Sequence, residues 1–234
     1  MVKVGIMQPY FMPYIGYWQL LQAVDKFVIL DDVNYIKKGW INRNQIIVNN
    51  SASFFTIPLV KASQNKLIKD IDIFEPNTAK EKLWRQLELA YANAQEYKSW
   101  SVFLKDLVFF EEKNLSGYIE NSIRRIEKEF GMNTEILLSS ELNKNEALRG
   151  EERILNICKI LGAELYINPI GGKMLYHAEA FMEYGMELKF IRTENLEYKQ
   201  RQEAFIPNLS MFDVLFCNEK SKIQEFLRMY ELVD

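Results

Sequence analysis

The sequence predicts an α/β protein with a mainly parallel, doubly wound sheet. Apolar runs of strand length alternate with stretches in which apolar residues recur at helical spacing. The first 32 residues give one strand–helix–strand unit, and the same alternation returns after residue 134. Strands that alternate with helices favour parallel pairing, because each crossover helix brings the chain back to the same edge of the sheet.

The first predicted strand, Val2 to Met7, enters a proline-containing loop and then a helix, and a second apolar strand ends at Asp31 and Asp32. Ligands of parallel sheets bind beside the carboxyl ends of the strands. We therefore expect residues 8–17 and 31–38 to converge on one site.

Sheet and helix patterns follow in turn. Two segments, Gln45–Val48 and Phe54–Leu59, are rich in β-branched and aromatic residues and predict more sheet. Apolar residues at three- and four-residue spacing predict three helices between about residues 78 and 128. Asn77 or Thr78 is expected to cap the first of them, because a glutamate three residues after Thr78 completes a capping box.

The last third of the chain returns to α/β order. The predicted elements are a strand at 134–139, a helix at 151–161, a strand at 164–167, a helix at 178–184, a strand at 188–191 and a helix after Pro207. We expect one α/β domain over residues 1–234, with residues 78–130 as a helical insertion or subdomain.

Composition indicates a globular protein. Hydrophobic residues make up 48% and charged residues 26% of the chain, and the apolar runs are too short to span a membrane. Met1 leads directly into a strand, so we expect a cytoplasmic protein without a signal peptide. The net charge of −3 gives no overall attraction to polyanions. Cys158 and Cys217 lack metal or redox spacing and are expected to be buried thiols.

The turn after the first strand contains the motif Tyr14-Ile15-Gly16-Tyr17, preceded by Gln8 and Tyr10. Nucleotidylyltransferases and class I aminoacyl-tRNA synthetases carry His-x-Gly-His at this turn, where the glycine lets the backbone approach a nucleotide. The spacing thus predicts a Rossmann-like, nucleotidylyltransferase-like sheet with nucleotide binding at the helix N-terminus. A neutral phenol matches developing phosphate charge less well than a cationic donor, which disfavours adenylyl transfer. Aromatic packing around a tight turn explains the motif equally well.

Polar and aromatic side chains follow the second strand. Asp31 and Asp32 are candidates to accept from a sugar hydroxyl, to bind Mg²⁺ or to act as a base, although acidic residues also cap loops routinely. The residues after them have the mix expected for a phosphate and a stacked ring: Lys38, Trp40, Asn42, Arg43 and Asn44. Arg43 is the preferred phosphate ligand, because its planar fork matches two oxyanions.

A third candidate segment lies after a later strand. Gly171 and Gly172 are able to form a backbone nest for an anion, with Lys173 adding a charge, or to make an ordinary loop. His177, the single histidine of the chain, is a candidate proton shuttle or a helix cap. Ser210 and Asp213 have the spacing of a capping box and are expected to be structural.

Several site classes are excluded by their missing motifs. The sequence has no serine-hydrolase elbow, zinc ligand set, Walker loop or dinucleotide-binding glycine fingerprint. No metal site is predicted.

Five segments resemble one known family over nearly the whole chain. The segments MQPYFMPYIGYWQLL, FVILDDVNYIKKGWINRN, the IPL near residue 58, YINPIGGKMLY and FIPNLSMFDVLF resemble the WbqC-like protein family in order and spacing. Members look to be encoded in bacterial O-antigen and capsule clusters. The resemblance implies a cytoplasmic step of surface-polysaccharide synthesis, with transfer of an acyl or aminoacyl group, such as glycyl, to a nucleotide-linked amino sugar.

The resemblance brings no established catalytic residues, so the roles are assigned by chemistry. Such a transferase needs a base, oxyanion donors, stacking groups and phosphate ligands. We assign the base to Asp31, Asp32 or His177, the donors to Tyr14, Tyr17 and Asn42, stacking to Tyr10 and Trp40, and phosphate binding to Arg43 and Lys173. The sequence does not specify the acyl donor, for which aminoacyl-tRNA is one option. It also leaves open the cofactor and the oligomeric state, which includes a homo-oligomer. Two alternatives remain: an ATP-dependent adenylyl transferase, and a non-catalytic sugar-binding or assembly factor.

Overall fold

The computed structural model describes residues 1–194, 196–202 and 204–234. Its strands are β1 (Lys3–Met7), β2 (Lys26–Ile29), β3 (Arg43–Val48), β4 (Ser51–Thr56), β5 (Glu135–Leu138), β6 (Leu165–Pro169), β7 (Glu187–Thr193) and β8 (Tyr230–Val233). Its helices are α1 (Ile15–Ala23), α2 (Pro76–Tyr91), α3 (Tyr97–Val108), α4 (Leu115–Phe130), α5 (Gly150–Ile160), α6 (Ala178–Met182), α7 (Met211–Cys217) and α8 (Lys220–Phe226).

A six-stranded sheet forms the centre of the molecule, in the order β5-β2-β1-β6-β7-β8. All neighbours pair in parallel except β7 and β8, which pair antiparallel. If only these six strands are numbered along the chain, their order is 3-2-1-4-5-6, as in dinucleotide-binding folds. The direction of the strand order reverses between β1 and β6. The predicted mainly parallel α/β fold is confirmed.

Helices cover both faces of the sheet because β1 is apolar on both sides. A Cβ on Gly5 would come within 3.3 Å of Leu20 on α1, so this side of β1 packs closely against α1. Val4 and Ile6 are buried on the opposite face with Ile157 of α5. The alternation of side chains along a strand thus separates two apolar layers.

The crossover from β2 to β5 contains both the hairpin β3–β4 and helices α2 to α4. The hairpin pairs as a separate antiparallel sheet, with Gln45 opposite Phe54, so these predicted extended segments do not join the central sheet. Buried residues of all three helices share one hydrophobic core with α1 and α7. The division into a domain with a helical insertion at 78–130 stays a prediction.

Local details correct two sequence predictions and confirm a third. Helix α2 begins at Pro76 with Glu75 as its N-cap, so the predicted capping box at Thr78 is wrong. Proline at the first helical position has its φ preset and needs no N–H partner there, which places the start of the helix earlier. Strand β8 was not predicted. Cys158 and Cys217 are buried free thiols, as expected.

No helix of the described residues combines the length and apolar character needed to cross a membrane.

Candidate functional site

An aromatic cavity of about 470 Å³ lies beside the carboxyl end of β1 and the start of α1. Three chain segments line it: the β1–α1 loop, the start of β3 and the segment before α7. Its lining residues are Tyr10, Pro13, Tyr14, Trp40, Asn44, Gln45, Pro207 and Asn208. The structure thus brings together four predicted ligand-binding residues, Tyr10, Tyr14, Trp40 and Asn44.

Hydrogen bonds hold the three walls of the aromatic cavity together. Asn44 Nδ2 donates to the Met12 carbonyl at 3.0 Å, which joins β3 to the β1–α1 loop. Ser210 Oγ donates to the same carbonyl at 2.6 Å, and Ser210 N donates to the Gln45 carbonyl at 2.9 Å. Met211 N donates to the Pro13 carbonyl at 3.0 Å. The cavity is therefore preformed.

Sequence reasoning missed the wall formed by Pro207 and Asn208. A proline and an asparagine before a helix signal a turn, but they line the same cavity as Asn44 and Gln45, about 160 residues away in the chain. Pattern within the sequence alone does not give such proximity.

Gly16 has a role different from the predicted approach of a nucleotide. A Cβ on Gly16 would lie 2.5 Å from the ring of Tyr14, so the tyrosine ring itself covers the glycine. The glycine therefore lets Tyr14 fold back along the first turn of α1 and form a wall of the aromatic cavity. The expected close approach of a nucleotide to this backbone is not supported.

This contact predicts that the effect of Gly16→Ala depends on Tyr14. Alanine in a helix is normally more stable than glycine by about 0.5–1 kcal/mol, but here its methyl group displaces the Tyr14 ring. We expect Gly16→Ala to raise the free energy of unfolding in urea less in the wild type than when Tyr14 is already replaced by alanine. Equal effects in the two backgrounds would contradict the contact.

The two tyrosines of the Tyr14-Ile15-Gly16-Tyr17 motif lie in different surroundings. Tyr17 is 1% exposed, and its hydroxyl donates to the Gln8 carbonyl at 3.2 Å. Its ring packs 5.8 Å from that of Tyr10, whose hydroxyl donates to Gln8 Oε1 at 3.4 Å. Tyr17 is therefore a core residue, not a donor in the aromatic cavity, and the motif does not place two functional groups side by side as His-x-Gly-His does.

Tyr10 and Tyr14 keep their protons at neutral pH. Burial raises the pKa of both phenols above the ordinary value of 10.0, and the neighbouring Tyr14 raises the pKa of Tyr10 further. Both hydroxyls are thus neutral hydrogen-bond donors at the cavity wall.

Asp31 is a structural acceptor. It is 2% exposed, and its two oxygens accept from Ser140 N at 2.9 Å and Ser140 Oγ at 2.6 Å. These bonds tie the end of β2 to the turn after β5. The predicted roles of Asp31 as a base or a ribose acceptor are not supported, because Ser140 occupies both oxygens.

Asp32 is the carboxylate of a buried ionic cluster formed with Lys144 and Arg153. Its oxygens lie 2.6 Å from Lys144 Nζ and 2.6 Å from Arg153 Nη2. Both cations thus contact the carboxylate directly, and their attraction is strong because the cluster is buried. Burial alone would raise the pKa of Asp32, but Lys144 and Arg153 outweigh it and hold that pKa below 3.8. Asp32 is thus a weak base, which argues against its predicted role.

The loop of residues 37–43 is braced from within. Arg43 donates through Nε to the Gly39 carbonyl at 3.0 Å and through Nη2 to the Lys38 carbonyl, and its guanidinium lies 4.5 Å from the Phe54 ring. Asn42 donates to the Ile57 carbonyl at 2.7 Å and accepts from Tyr35. Asn42 is buried and makes both of these hydrogen bonds, which argues against its predicted role as an oxyanion donor. Phosphate binding by Lys38 and Arg43 stays a prediction.

The segment after β6 does not form the predicted anion nest. Ile170–Leu175 is a 3₁₀ helix in which neither Gly171 nor Gly172 has positive φ, so the backbone N–H groups do not curve around an anion. Gly172 instead lies against Asn168, whose Oδ1 is 2.1 Å from the position of a Cβ.

The two charged candidates of that segment lie elsewhere. Lys173 Nζ donates to the backbone carbonyl of Asp234. His177 precedes α6, its side chain is 73% exposed, and its Nδ1 lies 3.2 Å from Glu151. Neither residue lines the aromatic cavity.

Asp213 lies at the centre of a buried hydrogen-bond network, whereas its spacing from Ser210 predicted a capping box. Ser210 does cap α7, accepting from Phe212 N at 3.3 Å. The carboxylate of Asp213, however, accepts from Tyr91 and Tyr198 at 2.7 Å each and from Gln200 at 3.2 Å. Asp213 therefore joins α7 to α2 and to the segment after β7.

A second cavity, the β7 cavity, has a volume of about 390 Å³ and lies beyond the carboxyl end of β7. Its lining residues are Ile15, Thr193, Glu194, Leu196, Glu197, Tyr198, Phe205, Pro207, Asn208, Leu209 and Val214. Pro207 and Asn208 thus line both cavities. Within the described residues, no group of three His, Cys, Asp or Glu side chains is placed to hold a metal ion.

Comparison with known proteins places the chain in a family. It is 28% identical to the uncharacterized protein Rv1507c of Mycobacterium tuberculosis (strain ATCC 25618 / H37Rv), over 231 residues that cover 97% of this chain and 98% of that protein. No solved structure matches the chain. The model of the WbqC-like protein family matches residues 8–225, which shows that the chain belongs to the WbqC-like protein family.

Proposed function

We propose that this protein acts in bacterial surface-polysaccharide biosynthesis and binds a nucleotide-linked amino sugar in the aromatic cavity. One observation carries the proposal: an aromatic, preformed cavity lies beside the carboxyl end of β1, near the reversal of strand order. Nucleotides bind at this place in doubly wound folds. The family resemblance supplies the sugar pathway.

The chemistry of the aromatic cavity suits a ring better than a phosphate. Tyr10, Tyr14 and Trp40 offer aromatic faces, and Asn44 and Gln45 bring amide groups, whereas no lining residue that the structure describes has a charged side chain. A base or sugar ring would stack on Trp40, which is 44% exposed. The diphosphate would then extend towards the basic loop that holds Lys38 and Arg43.

The reaction that we propose is transfer of an acyl or aminoacyl group to the amino group of that sugar. Tyr14, kept neutral by its raised pKa, would donate to the oxyanion that develops on the acyl carbonyl, whereas the single O–H of Tyr10 already donates to Gln8. Asp31 and Asp32 are not part of this proposal, because their partners occupy them. The sugar amine would release its proton to solvent.

Replacing Trp40 tests the binding site. Loss of one base-stacking ring costs about 1–3 kcal/mol, so Trp40→Ala should weaken binding of UDP- or dTDP-linked amino sugars roughly 5- to 150-fold. Thermal shift measures this, since saturation at 100 times Kd stabilises a protein by about 2.7 kcal/mol. Trp40→Phe, which keeps a ring, should bind within a few-fold of the wild type.

Either of two results would refute the proposed site. If no nucleotide-linked amino sugar shifts the melting curve of the wild type, the protein does not bind this class of ligand. Equal affinity in Trp40→Ala and the wild type would locate the ligand elsewhere.

A non-catalytic sugar-binding or assembly factor is the second candidate. The engagement of Asp31, Asp32 and Tyr17 in buried networks favours it, because three residues proposed for catalysis serve the fold instead. Mass spectrometry separates the two functions: an enzyme converts the amino sugar to its acylated product, whereas a binding factor leaves it unchanged. The adenylyl-transferase alternative loses support, since its turn does not present two aligned groups.

A further inference from the structure

We propose that the β7 cavity is the acyl-donor site, that it takes the charged amino group of an aminoacyl ester, and that Asn208 stands between donor and sugar. This inference rests on the proposed function and specifies its donor. It requires three features: adjoining cavities, charge that suits the donor, and a polar group at the junction.

The two cavities share one wall. Pro207 and Asn208 line both the aromatic cavity and the β7 cavity. A group-transfer enzyme must hold two substrates next to each other, and two cavities that share wall residues are suitably placed for this. The wall is fixed in place, because Ser210 and Met211 directly after it are hydrogen-bonded to Gln45, Met12 and Pro13.

The charges of the two cavities differ in a way that suits different substrates. The lining of the β7 cavity includes the exposed acidic residues Glu194 and Glu197, and within the described part of the chain it includes no lysine or arginine. Carboxylates attract the α-ammonium group of an aminoacyl donor and repel a nucleotide diphosphate. The aromatic cavity, whose described lining residues are uncharged, is left for the ring of the nucleotide-linked sugar.

Asn208 places a polar side chain at the junction. Its φ is 59°, in the left-handed region that asparagine tolerates better than most residues. Its side chain is exposed and makes no hydrogen bond with any residue that the structure describes, so its amide N–H groups are available to the acyl oxygen.

The proposed step balances as follows. The lone pair of the sugar amine attacks the acyl carbonyl carbon, and the carbonyl electrons move onto the oxygen, which accepts hydrogen bonds from Asn208 and from the Tyr14 hydroxyl. Collapse of this intermediate breaks the ester C–O bond. One amine proton passes, through solvent, to the departing alkoxide, which gives an amide and an alcohol.

The donor site is tested by binding, independently of turnover. The probe is 3′-deoxy-3′-(glycylamino)adenosine, which mimics an aminoacylated RNA end and resists hydrolysis, and its N-acetyl form is the uncharged control. We expect the full chain to bind the charged probe at least tenfold more tightly than the control, and Glu194→Gln with Glu197→Gln to abolish that preference. Affinity for the nucleotide-linked sugar should stay unchanged in this double variant.

Three outcomes would overturn the donor site: equal affinity for both probes, unchanged preference in the double variant, or competition between charged probe and nucleotide-linked sugar. The proposed function fails by a different result, the absence of binding by any nucleotide-linked amino sugar.

Asn208→Gly tests the junction. Glycine adopts positive φ without strain, so this variant should keep the wall intact while removing the amide. With donor and sugar present, we expect kcat to fall about 10²- to 10³-fold, the loss typical of one oxyanion donor, with sugar affinity changed less than threefold. An unchanged kcat would overturn the role of Asn208.

Discussion

Replacing Asp32 by asparagine is expected to lower the free energy of unfolding by about 3–5 kcal/mol, the usual cost of leaving buried charge uncompensated. Asp32 is 5% exposed, and the side chains of Lys144 and Arg153 beside it are 0% and 5% exposed. Asparagine keeps the shape but removes the negative charge that these two cations require. Urea unfolding at pH 7 measures the loss.

Controls separate this effect from general sensitivity. Glu146 also contacts Lys144, at 3.0 Å, but its side chain is 69% exposed, so Glu146→Gln should cost no more than about 1 kcal/mol. Adding Lys144→Met to Asp32→Asn should recover part of the loss, because one uncompensated cation is removed. A loss below 1 kcal/mol in Asp32→Asn would show that the cluster does not stabilise the fold.

The effect of Asp32 should also depend on pH. Its folded-state pKa lies below the ordinary value of 3.8, so its contribution is present above that pH and is lost as the pH falls through the folded-state pKa. The difference between wild type and Asp32→Asn should therefore shrink below about pH 3.8.

The sequence was sufficient to predict the fold class because the signals for strands and helices are local. Apolar runs such as Val2–Met7 and Leu165–Pro169 show the strands, and alternation with helices implies parallel pairing. The hairpin β3–β4 was recognised as extended, but its separation from the central sheet was not. Strand partners depend on long-range contacts that a single sequence does not display.

Only part of the site was predicted, because it too depends on contacts between residues that are distant in the sequence. Tyr10, Tyr14 and Trp40 follow from the rule that ligands lie beyond strand ends, and they do line the aromatic cavity. Asp31 satisfies that rule equally well, yet Ser140, which is 109 residues away in the chain, takes both of its oxygens. Position along a strand therefore predicts proximity to a site, whereas availability depends on partners that only the folded chain reveals.

Asp213→Ala is expected to lower the free energy of unfolding by at least about 3 kcal/mol, since each buried donor left without a partner costs about 1–3 kcal/mol. Asp213 is 0% exposed, and its carboxylate accepts from Tyr91, Tyr198 and Gln200. Alanine would leave these three donors unpaired and open a cavity between α2 and α7. Tyr198→Phe, which removes a single donor, is the matched control and should cost about 1 kcal/mol.

The folded-state pKa of Asp213 is raised, whereas that of Asp32 is lowered, so the two residues make stability depend on pH in opposite directions. Burial raises the pKa of Asp213 above 3.8, and the hydrogen bonds from Tyr91, Tyr198 and Gln200 offset this only in part. A raised folded-state pKa gives stability that is fully present below the unfolded pKa and is lost as the pH rises through the folded-state value. The stability of wild type relative to Asp213→Asn should therefore fall as the pH rises above about 3.8. Urea unfolding of both proteins between pH 3 and pH 8 tests this sign, and a difference that grows with pH would mean that the network favours the ionised carboxylate.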